Sequence, residues 1–116
     1  MVHDYPVSQC ALAKVVERDG VPVAERFELY LGPLELANGY HELTDAQEQR
    51  RRFQRDGQVR DRRGAVQPPL VERLLAALQA GMPDCAGVAL GIERLLMALA
   101  GTGKIADVLA FDFARA

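Results

Sequence analysis

The chain has 116 residues, 49% of them hydrophobic, with 14 basic and 16 acidic side chains and a formal net charge of −2. That length fits one domain or a piece of one, its apolar content is enough for a core, and its charge excludes a globally basic nucleic-acid binder while leaving room for a local patch. No apolar run reaches the ~18 residues of a membrane span, and the N-terminus lacks the charged-then-apolar pattern of a signal peptide, so a cytoplasmic protein is expected.

Met1 is followed almost at once by "DYPVSQCALAKVV", strand-like material that reads as if the chain began inside a fold. Residues 8–16 suggest a strand, and Asp19-Gly20 marks a turn before the next one. From 24 to 31 the alternation sets Phe27, Leu29 and Leu31 on one side and Arg26, Glu28 and Tyr30 on the other. Gly32-Pro33 turns the chain, and residues 34–37 return as an antiparallel partner. Asn38-Gly39 has the composition of a hairpin turn, but "HELTDA" after it starts a helix and not a third strand.

Thr44-x-x-Gln47 fits a capping box, with Asp45 at the positive end of the helix dipole. The helix has little apolar stripe beyond Ala46 and Phe53 and is expected on the outside. It runs into residues 49–64, which hold seven of the fourteen basic side chains. That segment reads either as a solvated, partly mobile loop with a helix end or as a patch for an acidic partner or RNA. After Pro68-Pro69, Leu70, Val71, Leu74, Leu75 and Leu78 form an apolar face at helical spacing, ended by Gly81 and Pro83. "CAGVAL" (85–90) reads as a buried strand. Ile92, Leu95, Leu96 and Leu99 make a second amphipathic helix that stops at Gly101-Thr102-Gly103. Strands followed by helices with antiparallel connections predict an α+β fold, an antiparallel sheet flanked by helices.

Two stretches could carry chemistry. In "GVALGIERLL" (87–96) a strand passes through Gly91 into a helix. Ala89 and Gly91 leave room for a flat ligand against the backbone, and Arg94 can reach a phosphate with paired hydrogen bonds. Close strand–helix packing explains the same residues equally well, and there is no GxxxxGK[ST]. In "LELANGYHELTDA" (34–46), Glu35 shares a face with Ala37 by alternation and could ligate Mg²⁺ beside a nucleotide. Glu42 suits the ammonium group of a small cationic substrate. Together Glu35, Asn38, Glu42 and Arg94 describe an acidic amine pocket beside a phosphate site. Cys10, Cys85, His3 and His41 lack CxxC or Cys/His spacing, so they read as reduced, buried thiols and as imidazoles unsupported as metal ligands.

"ERFELYLGPLELANGYHELTDAQEQ" followed by "GMPDCAGVALGIERLLM" resembles the C-terminal part of a class II lysyl-tRNA synthetase catalytic domain. More closely it resembles the elongation factor P–(R)-β-lysine ligases, paralogues of that enzyme. The likeness runs over essentially the whole chain; "ELANGYHELTDA" is close to a family signature and "GVALGIERL" matches motif 3. The resemblance implies that Glu35 and Leu36 contact ATP, Glu35 also facing the magnesium site. It implies that Asn38 and Glu42 line the substrate pocket, Glu42 pairing with an amino group. Gly91 would lie under the ATP and Arg94 would bind its phosphates. Ala89 stands where lysyl-tRNA synthetases usually have glycine and the ligases alanine; Glu93 replaces the commoner Asp.

That family's chain is much longer, and this one matches roughly its last third, with motif 3 but without motifs 1 and 2 or an anticodon-binding domain. The implied activity uses ATP and Mg²⁺ to activate lysine or (R)-β-lysine as an adenylate and passes the acyl group to a lysine of elongation factor P. Arg50 to Arg63 could then contact that partner. The alternatives are a lysine–tRNA ligase fragment, with tRNA as acceptor, and a truncated, non-catalytic ATP- and amino-acid-binding paralogue. Unpaired sheet edges and apolar surface would favour homo-oligomers.

Overall fold

A computed structural model describes residues 1–113. Strands β1 (Val2–Pro6), β2 (Val15–Arg18), β3 (Val21–Leu31), β4 (Leu34–His41) and β5 (Ala86–Leu90) form one antiparallel sheet in the order β1-β3-β4-β5, with β2 also pairing with β3. Helices α1 (Ala46–Arg62) and α2 (Glu72–Ala80) separate β4 from β5, and α3 (Ile92–Ala100) follows β5. The fold is α+β, an antiparallel sheet with flanking helices.

The first third differs from the alternation in detail. The expected strand over 8–16 is instead a 3-10 turn at Val7–Gln9 and a bridge from Ala13 to Glu42, with β2 beginning at Val15. The 10–13 turn and the cross-links Leu43 N–H to Leu12 O and Lys14 N–H to His41 O (both 2.8 Å) use the backbone groups that a continuous strand would have spent on a ladder. Gly32, at φ 56°, does turn β3 into β4. Asn38-Gly39 forms no turn: both residues sit inside β4, which runs on to His41. Gly39 is needed there for closeness, since a Cβ would stand 2.7 Å from Phe27 Cζ and 2.9 Å from the Gly87 carbonyl oxygen.

Burial inverts the polarity expected of β3. Glu28 is only 5% exposed, whereas Leu29 and Leu31 are 40% and 56% exposed. The polar side chains are covered by one another: Arg26 lies 4.5 Å from the Tyr5 ring centroid and 5.7 Å from that of Tyr40, and pairs with Glu28, which also accepts from the Tyr30 hydroxyl. A carboxylate so paired can be buried without an isolated-charge penalty.

Asp45, not Thr44, caps α1; its carboxylate accepts from Gln47 N–H (2.8 Å) and Glu48 N–H (3.0 Å), two donors where a hydroxyl would serve one. The arginine-rich segment is neither loop nor mobile end but the body of α1, which continues to Arg62. Arg52 leaves the solvated face altogether, buried and donating to the carbonyls of Ala13 (2.7 Å) and Ala11 (3.2 Å) and to Glu48 (3.0 Å). Arg50 holds Glu72 of α2 through two bonds of 2.8 and 2.7 Å, and α2 turns Leu75 and Leu78 inward. Cys10 and Cys85 are free and half-buried. The expected buried strand at 85–90 is an exposed edge strand: Val88 is 65% exposed, and Leu96 and Leu99 of α3 are exposed too. An apolar run predicts burial only when a second layer covers it.

Candidate functional site

The register of the central strands defines a floor. Directly opposed residues in antiparallel strands share a face, which gives one row of Glu28, Asn38 and Ala89 and a second of Arg26, Tyr40 and Gly87. By strict alternation Glu35 would belong to the opposite face with Ala37. It does not. Leu29 pairs with Ala37 and Tyr30 with Glu35, so Leu36 is an extra residue on β4, a β-bulge. One inserted residue reverses the phase of everything before it, and Glu35 joins Tyr30 on the polar side. There its carboxylate accepts from Asn38 Nδ2 at 3.3 Å. Leu36 itself is buried, and its carbonyl receives the Gly91 N–H at 2.9 Å.

Gly91 is the N-cap of α3 and the corner over which Arg94 folds; a Cβ on Gly91 would lie 3.3 Å from Arg94 Cδ. Arg94 thereby reaches back across β4, donating to the main-chain carbonyl of Glu35 at 2.9 Å, with its guanidinium 3.7 Å from that residue's carboxylate. Half-exposed, it stays approachable from solvent. Ala89, beside Asn38, is also exposed.

Glu42 lies at the other end of the floor. Its N–H donates to the Cys85 carbonyl at 2.9 Å, and its Oε1 occupies space 2.7 Å from where a Gly87 Cβ would be. Only a residue without a side chain at 87 lets the carboxylate lie there. Glu35 is near the start of β4 and Glu42 just beyond its end, seven residues on, a span of roughly 20 Å at a strand's rise per residue. The structure therefore joins Glu35, Asn38, Ala89, Gly91 and Arg94 in one group, and sets Glu42 apart from Glu35 and Arg94 along the same open shelf. A separate cavity of about 890 Å³ lies elsewhere, between α1 and the Pro68–Val71 segment.

The sequence reading gave no role to Tyr5, Arg26, Glu28, Tyr30 and Tyr40, which complete this face. Their signal was the run of polar residues at every second position of an apolar strand. The Tyr30 phenol, followed by Tyr5, holds the Glu28 carboxyl below its ordinary range despite burial. Reciprocally the Tyr30 phenol is pushed up, chiefly by donating to Glu28, and Tyr5 is pushed up by desolvation and then by Glu28.

The antiparallel sheet with its flanking helices is consistent with a fragment of a class II synthetase domain. The model of the class II tRNA synthetases (D, K and N) matches residues 1–115, and the chain belongs to that family. It is 52% identical over 115 residues to the elongation factor P–(R)-β-lysine ligase of Salmonella arizonae, and equally so to that of Salmonella dublin. It is 51% identical to the ligase of the same name from Salmonella paratyphi B. Each match covers 99% of this chain and 35% of the relative, so the chain spans about a third of the length of these relatives.

Among the described residues no helix is long and apolar enough to cross a membrane, and no group of three or more His, Cys, Asp or Glu side chains could hold a metal ion by itself.

Proposed function

We propose that this chain is the nucleotide- and amine-binding portion of an ATP-dependent ligase that activates a lysine-type amino acid and transfers it to a lysine of elongation factor P. The observation that carries the reading is the bulge at Leu36, which turns Glu35 onto the face of Asn38 and under Arg94. A positive group and a carboxylate beside each other suit a metal-bound triphosphate, and a second carboxylate further along the same shelf suits a cationic group of the amino acid.

In the proposed reaction the amino-acid carboxylate attacks the α-phosphorus. The bond to the β-phosphate oxygen breaks, pyrophosphate leaves, and an acyl-adenylate forms. A lysine amine of the acceptor then attacks the acyl carbon, giving an amide and AMP with loss of a proton. Arg94 stabilises phosphate charge, Gly91 and Leu36 border the nucleotide, Asn38 and Ala89 floor the amino-acid site, and Glu42 holds the amine. Catalysis on this face is positioning and electrostatics, with no covalent enzyme intermediate. Mg²⁺ commonly takes one or two carboxylates and completes its shell with substrate phosphates and water. Glu35, half-exposed beside Arg94, fits that role, and the ion would supply charge neutralisation for the departing pyrophosphate. A methyl at Ala89, rather than hydrogen, favours the ligase over the tRNA-charging reading.

The exposed apolar residues of β5 and α3, in a chain one-third the length of its relatives, support a second reading: a binding module without catalysis, self-associating through that surface. Pyrophosphate exchange into ATP with L-lysine or (R)-β-lysine separates them. Exchange by this chain supports the ligase; nucleotide binding without exchange supports the module; neither binding nor exchange rejects both.

A further inference from the structure

Behind Glu42, on the opposite face of the sheet, five ionisable side chains from β2, β3, β4 and the segments ahead of β2 and β5 meet. His41 is the centre. Its Nδ1 faces the Glu25 carboxylate of β3, and its Nε2 lies 2.8 Å from Asp84 Oδ1, in the segment leading to β5. Lys14, ahead of β2, pairs with Asp84 and lies 3.2 Å from the imidazole Nε2. Arg18 of β2 closes the group, 3.3 Å from Glu25. The backbone repeats the connection: His41 O accepts from Lys14 N–H, Glu25 N–H donates to Lys14 O (2.9 Å), and the next residue, Glu42, is bridged to Ala13 and donates to Cys85 O.

We propose that His41 is a positioning residue for Glu42: its imidazolium clasps the Asp84–Cys85 segment and Glu25 to the end of β4, and so holds the Glu42 carboxylate over Gly87. The inference rests on the reading of Glu42 as the amine anchor. An imidazolium donates from both nitrogens and satisfies both carboxylates; the neutral ring has one donor and one lone pair, so one carboxylate is left facing an acceptor. Asp84 first and Glu25 second push the His41 pKa up against the opposing effects of desolvation and Lys14. A raised folded-state pKa means that the clasp is complete below the free-imidazole value and is lost as pH rises through the folded one.

Amide exchange on this chain tests the clasp without any ligand. After correction for intrinsic rates, protection of the Glu42 N–H falls as pH rises from about 6 through the folded-state value of His41, by about tenfold for each unit that value lies above the free one. The Thr102 N–H, bonded to Met97 O at 3.1 Å in a different part of the fold, serves as the control and keeps its protection. His41→Gln lowers Glu42 protection at pH 6 and abolishes the pH step; Asp84→Asn, at an exposed carboxylate less able to disturb folding, lowers protection at pH 6 and shrinks the step, since Glu25 still faces the ring. Unchanged protection in both variants, or a flat wild-type profile, overturns the proposal. Calorimetric titration with L-lysine at pH 6 then tests the linked reading. Weaker binding in both variants supports the clasp acting through Glu42. Failure of the wild-type chain to bind L-lysine, with the protection step intact, removes the amine-site reading and leaves the clasp standing.

Discussion

Arg94 donates to the main-chain carbonyl of Glu35, 59 positions earlier in the chain, at 2.9 Å, and stands 3.7 Å from the same residue's carboxylate. The contact ties the first turn of α3 to the bulged end of β4, and it holds Arg94 over the face proposed above to bind the nucleotide. Arg94→Ala is expected to weaken ATP binding by roughly tenfold or more, the value of a charge-assisted bond. Arg94→Lys should restore only part of it, because an ammonium cannot reproduce the planar fork. Nucleotide titration by calorimetry reads both; equal affinity in wild type and Arg94→Ala would sink the assignment.

Gly87 separates site from scaffold. A Cβ there meets the Glu42 carboxylate and, among nearby atoms outside its chain neighbours, little else. Gly87→Ala should therefore displace that carboxylate and weaken L-lysine binding with little change in melting temperature. Gly39→Ala, whose Cβ meets the Phe27 ring and the Gly87 backbone, should instead destabilise the fold by about 1–3 kcal/mol, as overpacking does. Thermal melts beside lysine titrations distinguish the two.

Arg52 is buried on two backbone carbonyls and Glu48. Arg52→Ala strands those acceptors and is expected to cost about 3 kcal/mol. Arg51→Ala, an exposed neighbour on the same helix, should change stability by less than ~1 kcal/mol. Chemical denaturation of the two variants checks the contrast between members of one arginine run.

Glu28 gives the acid limb of stability a named contributor. Its carboxyl is held low in the folded state by the Tyr30 and Tyr5 phenols. A depressed folded pKa contributes stability above the unfolded value of 4.5, and that contribution disappears as pH falls through the folded value. Wild type should lose melting temperature on acidification in this window, and Glu28→Gln should show a shallower slope. Parallel slopes in the two proteins would assign the acid sensitivity to other carboxylates.

The amphipathic spacing of 70–78 and 92–99 located α2 and α3, the alternation of 24–31 located most of β3, and Gly32 located its turn, because each signal is local: a repeat of side chains or a single φ above zero. The candidate site residues stood out for the same reason, as charged and small residues interrupting otherwise apolar runs. Which of them meet was not. Counting in twos placed Glu35 beside Ala37, since the bulge at Leu36 exists only in the pairing of β4 with β3 and has no mark within β4 itself.

Burial was misjudged in both directions by the same omission. Glu28 and Arg52 are charged and buried because partners from distant segments satisfy them, while Val88 and Leu99 are apolar and exposed because nothing in the described chain covers them. What the sequence determined by itself was most of the elements and the stock of charged and small residues from which the candidate site is built. Tertiary structure alone decided the face on which each group stands and its distance from the others, because strand register and side-chain partnership are set by residues far apart in the chain.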